Sequence, residues 1–558
     1  MSQLTNIYRY LITNRIHERQ QWRNEYEDIV QRISNLRGVF QNNLTYDLDQ
    51  PELYNSSHTF KDKEDLFWRM FANKSNGVSS NGQSVFSHNS RSKVINDPSF
   101  LQAFKNLILD PSLQNHNDFE IIWKQKVGQN NPVQTNRATA ACTLDVTSTV
   151  DSGKFNQVFG WLTRKNLISI YTGNNNWYEK NIFVVNQLRT ALNGINSNDQ
   201  YWCNIFYWEM YENLANPFNL KKQLVKYGAP GTGKTYKAKE VSNMQFAIWK
   251  EEYNASTETY DEVHKVVQFH PSYSYEDFME GLRPVLDANN QAHLQLVNGI
   301  FKTMCIAAGK WEVNVAPLMI KGELDGKKWE QLDINDLLPH KAKLDNMLWD
   351  YIFNTADKTI KLTEIIPPYF IIIDEINRAE LSRVFGELMY CLEYRGINGA
   401  IETQYNQLNT TQTGMIKLGG TYKFFVPHNL FVIGTMNTVD RSVESFDFAL
   451  RRRFRWEEVK PSIGLLRYHL QGNNQNWVSL ADNLRKLNEA IEKEPLLGKD
   501  FCIGHAYLMD LGYASNTTYA DVRKLIWEDS ISPLLEEYVR GTGREQEILK
   551  TFAKSFGV

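Results

Sequence analysis

The segment from Gly228 to Thr235 has the sequence GAPGTGKT and matches the pattern GxxxxGK followed by Ser or Thr in full. Glycines in such a loop let backbone N–H groups turn inward around phosphate oxygens, and a helix after the loop points its positive end at the same oxygens. A strand-like apolar run, 224–227, precedes the loop and a helix-like stretch follows it, as the pattern requires. The sequence therefore predicts a phosphate-binding loop whose contacts come from Gly228, Pro230, Gly231, Thr232 and Gly233.

Four further side chains predict that this loop binds a triphosphate with Mg²⁺ and that the triphosphate is hydrolysed there. Lys234 is expected against the β- and γ-phosphates, and Thr235 is expected to offer its hydroxyl to Mg²⁺. An apolar strand, 369–373, ends in Asp374 and Glu375. We expect Asp374 to hold the hydrated Mg²⁺ and Glu375 to orient and deprotonate the attacking water. Because a protein that only binds a nucleotide has no need of Glu375, the pair predicts hydrolysis.

A third apolar strand, 430–436, ends at Asn437, whose amide can reach a water near the γ-phosphate in a sheet of this kind. Four arginines then occur within five residues: Arg451, Arg452, Arg453 and Arg455. This concentration of like charge is either a solvated basic surface or a set of arginine fingers. A finger stabilises transition-state charge on the γ-phosphate of a neighbouring subunit, and Asn437 just upstream favours that second interpretation.

The composition of the 558-residue chain limits its other functions. It has 61 basic and 64 acidic residues, a net charge of −3, which excludes nucleic-acid binding by bulk charge and leaves only a local patch. The five cysteines form no CxxC pair, which predicts separate reduced thiols. No apolar run approaches the ~20 residues of a membrane helix, and the N-terminus lacks a secretory leader, so we expect a soluble, cytoplasmic protein without a membrane partner.

Changes in composition and in hydrophobic pattern divide the chain into successive parts. Short apolar runs alternate with helical stretches after residue 223, which predicts an α/β fold with a parallel sheet flanked by helices. The predicted parts are a helical segment at 1–40, a module at 41–190, a helical connector at 191–222, a nucleotide-binding core at 223–460 with an insertion at about 305–365, and a helical domain at 461–558.

The N-terminal module contains a candidate DNA-binding element at 155–189. A helix-like stretch leads to the run LISIY, a turn follows at 173–176, and the run WYEKNIFVV comes next. Two β-rich runs joined by a Gly/Asn turn predict a hairpin, so the module is expected to be α+β and partly winged-helix-like. Its basic and aromatic residues form either a DNA-contacting wing or an ordinary solvated hairpin.

Several stretches resemble the McrB family of AAA+ NTPases: 267–284, 371–388, 434–454 and 500–509. The family's element MNTxDRS is complete at Met436–Ser442, and the resemblance covers about residues 223–510. It implies an AAA+ P-loop core with an α-helical C-terminal lid and a separate N-terminal module. McrB-like proteins are the GTP-hydrolysing motor subunits of modification-dependent restriction systems.

The resemblance also implies partners and residue roles. It implies a homo-hexameric ring, a separate McrC-like nuclease subunit, and DNA, typically with a modified base, as the target of the N-terminal domain. Matched by motif, Asn437 occupies the sensor position, Asp440 belongs to the signature element near the nucleotide, and Arg451 and Arg452 act on the neighbouring subunit. GTP rather than ATP is implied by the resemblance alone, because both present identical triphosphates.

The sequence departs from the family in several places. The insertion at about 305–365 is longer than expected, and is either a surface elaboration or a docking element for a partner. A Thr/Gly/Asn-rich stretch around Asn409–Gly420 predicts a hairpin. The N-terminal half does not resemble the family's methylcytosine-reading domain, so the target modification does not carry over.

Two other functions stay open from the sequence. One is a MoxR-like, ATP-driven factor that remodels proteins and has no DNA role, and the other is a nucleotide-switched scaffold that hydrolyses slowly or not at all. The chain has no convincing PD…(D/E)xK arrangement, so in a restriction complex another chain must supply cleavage.

Overall fold

The structure, a computed structural model, describes residues 3–73, 76–79, 88–128, 131–195, 199–215, 221–253, 259–286, 290–439, 451–473, 475–509 and 517–558. The chain forms two compact units, Met1–Pro217 and Phe218–Val558. All five cysteines are buried and free, as predicted. No helix in the described ranges is long and apolar enough to cross a membrane.

All regular secondary structure of the first unit is helical in the residues that the structure describes. Its α-helices are Gln3–Leu11, Ile16–Asn42, Lys63–Phe67, His88–Val94, Pro98–Leu109, Leu113–Val127, Pro132–Cys142, Ser152–Arg164, Trp177–Ala191 and Gln200–Met210. Aromatic side chains fill part of its core, where the rings of Phe71 and Trp123 lie 5.2 Å apart between centroids. The helix Gln200–Met210 buries most of its residues in this unit, so 200–215 belong to its core rather than to a connector.

The predicted hairpin at 155–189 is wrong. The run that was expected to form its second strand is the helix Trp177–Ala191, whose N-terminus Asn176 caps by accepting hydrogen bonds from the backbone N–H groups of Tyr178 and Glu179. The buried residues of this helix recur every three or four positions, which is the helical period, at Trp177, Tyr178, Asn181, Val184, Val185 and Leu188. The cap and this period outweigh the β propensity of the run. The described part of the module is therefore all-α, not α+β, and has no winged-helix-like wing.

The second unit is built on a parallel sheet, as predicted. Its strands, in chain order, are β1 (Gln223–Gly228), β2 (His264–Gln268), β3 (Glu280–Leu286), β4 (Ala292–Asn298), β5 (Tyr369–Asp374), β6 (Ile416–Leu418), β7 (Thr421–Lys423), β8 (Leu430–Asn437) and β9 (Arg455–Glu458). The main sheet has the order β2-β5-β8-β1-β9, and every pair in it is parallel. The first five residues of β5 are all buried, as expected for a parallel strand covered on both faces.

Helices surround this sheet and form the C-terminal lid. Those of the core are Lys234–Tyr253, Tyr260–Val263, Tyr275–Phe278, Ile300–Ile320, Ile334–Leu337, Asn346–Asn354, Leu362–Ile365, Leu381–Phe385 and Leu388–Glu393. Those of the lid are Ile463–Asn473, Leu480–Lys493, Tyr519–Ile526, Ser532–Val539 and Glu545–Phe556. The lid has its own hydrophobic cluster, to which Leu480–Lys493 contributes Leu484, Leu487 and Ile491 at helical spacing. The prediction of a helical C-terminal domain is confirmed.

Two antiparallel hairpins and the insertion complete the second unit. Strands β3 and β4 form one hairpin, and β6 and β7 form the other, which turns at Gly419 and Gly420 near the stretch predicted to be a hairpin. The insertion at about 305–365 places Trp329, Ile334 and Trp349 in the same hydrophobic cluster as the sheet. It is therefore packed into the core of the unit and does not lie loosely on the surface.

Candidate nucleotide-binding site

The predicted motif residues meet at the carboxyl edge of the sheet. Strand β1 lies beside β8, with Gly228 opposite Asn437, and β8 lies beside β5, with Gly434 opposite Ile373. Because parallel strands end at the same edge, Gly228, Asp374 and Asn437 come together. The loop, the acidic pair and the polar end of β8 thus form one site.

The backbone of the loop requires glycine at several positions. Gly231 and Gly233 have φ angles of +72° and +77°, in the left-handed region that glycine adopts without steric cost. A Cβ on Gly228 would lie 2.5 Å from the carbonyl oxygen of Val459. The Thr232 hydroxyl donates to the carbonyl of Ala229 at 3.0 Å and fixes the curvature of the loop. The helix Lys234–Tyr253 begins where the loop ends, so its positive end faces the loop.

The side chains at the end of the loop lie where a triphosphate and its metal would bind. Lys234 is buried within the loop, where its Nζ donates to the carbonyls of Gly228 and Ala229 at 3.1 and 2.8 Å. The Thr235 hydroxyl donates to Asp374 Oδ1 at 2.7 Å. A hydroxyl next to a carboxylate fits Mg²⁺, which prefers oxygen ligands and takes one or two protein groups alongside substrate phosphates. The described residues contain no cluster of three or more His, Cys, Asp or Glu that could hold a metal.

Glu375 is held at the edge of this cluster. Its backbone is left-handed, with φ +52° and ψ +47°, a conformation that costs a non-glycine residue roughly 1–3 kcal/mol and that concentrates at functional sites. The amide of Asn437 donates to Glu375 Oε1 at 2.8 Å, and Arg378 Nε lies 3.4 Å from the other carboxylate oxygen. This arrangement orients the carboxylate, as a group that positions a water requires.

The arginine group is not part of this cluster. The Arg451 guanidinium lies over the ring of Trp456, 5.1 Å from its centroid. Arg452 is 68% exposed and lies 3.7 Å from Glu393 Oε2, whereas Arg453 is only 13% exposed and lies 2.9 Å from the same oxygen. Neither Arg451 nor Arg452 contacts the loop or the acidic pair of its own chain, within the ranges that the structure describes.

A cavity of about 220 Å³ adjoins the start of the loop, where Gly228 and Ala229 line it. Its other walls carry four carboxylates and three cationic groups, namely Glu458, Glu489, Glu492, Asp500, Lys460, Arg485 and Lys499. A hydrogen bond to Glu458 raises the pKa of Lys499, and burial raises the pKa of the Cys502 thiol in the cavity wall to about 12. The thiol is therefore neutral, and the charge of the cavity comes from its acids and amines.

Three contributions to the site were missed from the sequence. Thr435 donates to the same Asp374 oxygen as Thr235, and it lies two residues before Asn437, which puts both on one face of β8. Arg378 pairs with Glu375. The lid contacts the loop directly, because the N–H groups of Gly504 and Ala506 donate to the carbonyls of Pro230 and Gly231, each at 3.0 Å. Spacing along β8 could have identified Thr435, but the other two contacts depend on tertiary structure.

One predicted residue cannot be placed. Asp440, assigned to the signature element, lies outside the described residues, and so do the positions up to 450. The other predicted loop, metal, water and sensor residues converge in the geometry given above.

Comparisons with known proteins agree with this geometry. Residues 479–546 match the family model of the McrB α-helical lid domain, and residues 338–454 match that of an AAA domain of the dynein-related subfamily. The chain is 31% identical over 338 residues to the type IV methyl-directed restriction enzyme EcoKMcrB subunit of Escherichia coli (strain K12). Over these ranges the chain is similar to McrB-type AAA+ proteins.

The similarity covers part of each protein. The alignment with the E. coli subunit spans 59% of this McrB-like chain and 56% of that subunit. The type II restriction enzyme BsuMI component YdiS of Bacillus subtilis (strain 168) is 25% identical over 307 residues, which are 51% of this chain and 73% of that component. The McrB-like chain thus spans a little over half the length of the E. coli subunit.

Proposed function

We propose that this chain is the nucleotide-hydrolysing motor of a restriction or anti-phage complex, with GTP as its substrate. The observation that carries the proposal is the convergence of Thr235, Asp374, Glu375 and Asn437 on one edge of the sheet, beside a complete phosphate loop. The two relatives, both named as parts of restriction enzymes, support the biological setting.

Each residue of the site has its own role in hydrolysis. Backbone N–H groups of the loop and Lys234 bind the β- and γ-phosphates. Thr235 and Asp374 are the residues that would hold Mg²⁺, which would supply positive charge against the phosphates. Glu375 accepts a proton from the attacking water. Asn437 keeps the Glu375 carboxylate in place through its 2.8 Å hydrogen bond.

An arginine finger would have to come from a neighbouring subunit, because neither Arg451 nor Arg452 contacts the loop or the acidic pair within the described residues. Arg452 is much more exposed than Arg453, and its 3.7 Å contact with Glu393 is long for an ion pair. It can therefore reach a second copy of the chain at little cost, whereas Arg453 is held by Glu393. We assign the trans-acting role to Arg452, with Arg451 beside it, in a homo-hexameric ring.

Preference for guanine is supported by the carboxylates of the cavity beside Gly228. Guanine presents an N1–H and an amino group on one edge, and a carboxylate can accept hydrogen bonds from both. Adenine presents an acceptor at N1, which a carboxylate repels. Glu489 and Glu492, one helical turn apart on the lid helix, line the cavity and are the candidates for this contact.

The proposed partners are an McrC-like nuclease, which would supply cleavage, and DNA, which the first unit would bind. The relative named as methyl-directed supports a target with a modified base. Lys180, a basic residue of the segment 155–189, lies on the helix Trp177–Ala191, so a DNA contact there would come from a helical surface.

The experiment that tests this function is steady-state hydrolysis of GTP and ATP, each with and without DNA and an McrC-like nuclease. We expect GTP turnover, little ATP turnover, and stimulation by the nuclease. Preference for ATP without any response to DNA or nuclease would instead support a protein-remodelling factor. Absence of turnover in the presence of tight binding would support a nucleotide-switched scaffold.

A further inference from the structure

His428 lies between the start of β8 and the insertion. It precedes β8 by two residues, so it lies at the amino-terminal edge of the sheet, opposite the edge that carries the nucleotide site. The residue is 6% exposed. Its Nδ1 lies 3.1 Å from Oε2 of Glu312, on the helix Ile300–Ile320, and its Nε2 lies 2.9 Å from Oε1 of Glu330, on the short helix Trp329–Gln331. Each ring nitrogen thus faces a carboxylate of the insertion.

These two contacts determine the protonation state of the ring. An ionised carboxylate only accepts hydrogen bonds, and a neutral imidazole carries a proton on one nitrogen only. Burial lowers the pKa of His428, but the hydrogen bonds with Glu312 and Glu330 outweigh burial and raise this pKa above its usual value of 6.5. The hydrogen bond with His428 in turn lowers the pKa of Glu330 to about 2. Both ring nitrogens therefore donate, and the ring is an imidazolium ion.

Two further cations contact the backbone around His428 and not its ring. Lys222 Nζ donates to the carbonyl of His428, and the Arg395 guanidinium donates to two backbone carbonyls of the same turn at 2.8 and 2.6 Å. Burial lowers the pKa of Lys222 to about 8 and that of Arg395 to about 10. Gly396 packs against the ring, where a Cβ would lie 2.4 Å from Cε1. Among the described residues, the charged groups that contact the ring nitrogens are therefore the two carboxylates.

We propose that His428 is a proton-dependent latch, which holds the short helix Trp329–Gln331 of the insertion against the sheet while the ring is an imidazolium ion and releases this helix when the ring loses a proton. The latch lies away from the nucleotide site and does not depend on the proposed function. It would make the attachment of the insertion sensitive to pH.

The two contacts of the ring differ in how readily water can replace them. Glu312 is 1% exposed and also accepts a hydrogen bond from the backbone N–H of His428 at 2.7 Å, whereas the side chain of Glu330 is 56% exposed. A buried carboxylate that loses its donor costs more free energy than an exposed one. The neutral ring therefore keeps its proton on Nδ1, towards Glu312, and loses the contact of Nε2 with Glu330.

The direction of the pH dependence follows from the raised pKa of His428. The stabilisation by the latch is complete below 6.5, the usual value, and is lost as the pH rises through the higher pKa of the folded chain. Lys222 acts in the opposite direction, because its pKa is lowered and folding is favoured once its amine is neutral. The titration must therefore be measured at the ring of His428 and not from overall stability.

The first experiment is a pH titration of the full chain, labelled with ¹³C at the histidine rings and followed by NMR. The Cε1 signal of His428 is assigned by its absence from the spectrum of His428→Gln. We expect its midpoint to lie above 6.5 and to fall in Glu330→Gln, which removes the charge next to Nε2. Glu323→Gln is the matched control, because it removes a carboxylate of the insertion that lies 3.4 Å from His340 instead, and it should leave the midpoint of His428 unchanged.

The second experiment measures opening by hydrogen exchange of the segment 328–332, where the N–H groups of Gln331 and Leu332 donate to the carbonyls of Lys328 and Trp329. Protection factors in the wild type should fall by about tenfold or more as the pH passes the midpoint, the usual effect of losing a hydrogen bond to a charged group. In Glu330→Gln they should be low at every pH. A midpoint at or below 6.5, or one that Glu330→Gln leaves unchanged, overturns the imidazolium state. A raised midpoint across which protection stays constant overturns the latch.

Discussion

The two units of the chain use their buried polar side chains in different ways. In the second unit, Thr235 and Thr435 both donate to one carboxylate oxygen of Asp374 at an open edge of the sheet. In the first unit, Asn181 and Asn204 are fully buried, and their hydrogen bonds link helices to the segment that contains Thr147 and Ser148. The first arrangement leaves oxygen atoms available to a ligand, whereas the second satisfies its groups internally.

Buried polar groups of these two kinds have different consequences for the protein. A buried polar group that is satisfied by the backbone stabilises the fold. Polar groups that converge on an edge, supported by a strained residue such as Glu375, indicate a site. Substitutions in the second unit should therefore change turnover, and equivalent substitutions in the first unit should change stability.

The largest effect is expected for Glu375→Gln. The amide cannot accept the proton of the attacking water, so turnover should fall by about 10³-fold or more. Binding of Mg-GTP should remain, because the loop is unchanged, and the variant should accumulate nucleotide-bound rings. The measurement is phosphate release alongside size-exclusion chromatography. Turnover at the wild-type rate would remove Glu375 from the mechanism.

Arg452→Ala should reduce turnover by about 10³-fold while leaving nucleotide affinity intact, since an arginine finger acts on transition-state charge. Arg451→Ala should have a smaller effect, because that guanidinium is stacked on Trp456.

The trans arrangement can be tested by mixing subunits. Arg452→Ala subunits retain Glu375, and Glu375→Gln subunits retain Arg452, so mixed rings contain some complete sites. Turnover in the mixture should exceed that of either variant alone. No recovery would indicate that Arg452 acts within its own chain or not at all.

In the first unit, Asn181→Ala should lower the free energy of unfolding by about 2 kcal/mol, because it leaves the buried N–H and hydroxyl of Thr147 without their acceptor. Asn186→Ala, on the exposed side of the same helix, is the matched control and should change little. Urea denaturation measures both, and GTP turnover of the folded Asn181→Ala chain should match the wild type. A large loss of turnover without a loss of stability would contradict a purely structural role of Asn181 in the first unit.

The smallest effect is expected for Thr435→Val, which keeps the shape of the side chain but removes the hydroxyl that donates to Asp374. Turnover should fall by about tenfold, which corresponds to roughly 1.4 kcal/mol of transition-state stabilisation. Thr421→Val, on the exposed β6–β7 hairpin, is the control. Equal turnover in both variants would mean that Asp374 does not depend on Thr435.

The site could be predicted from the sequence where the course of the backbone determines it. A phosphate loop needs glycines at fixed spacing, and parallel strands must end at one edge, so the meeting of Lys234, Asp374 and Asn437 could be predicted. The contact of Gly504 with Pro230 could not, because it joins residues that are distant in the chain. The prediction of a hairpin at 155–189 was wrong for a local reason, because the N-cap at Asn176 stabilises a helix in a run that is rich in β-forming residues.

The most direct test of the phosphate loop as a nucleotide site is equilibrium binding of Mg-GTP to the wild-type chain and to Lys234→Ala, measured by titration calorimetry. We expect one nucleotide per chain for the wild type and no measurable binding for the variant. A wild type with no affinity for any magnesium-bound purine triphosphate, or a Lys234→Ala variant that binds as tightly as the wild type, would contradict a nucleotide site in this loop.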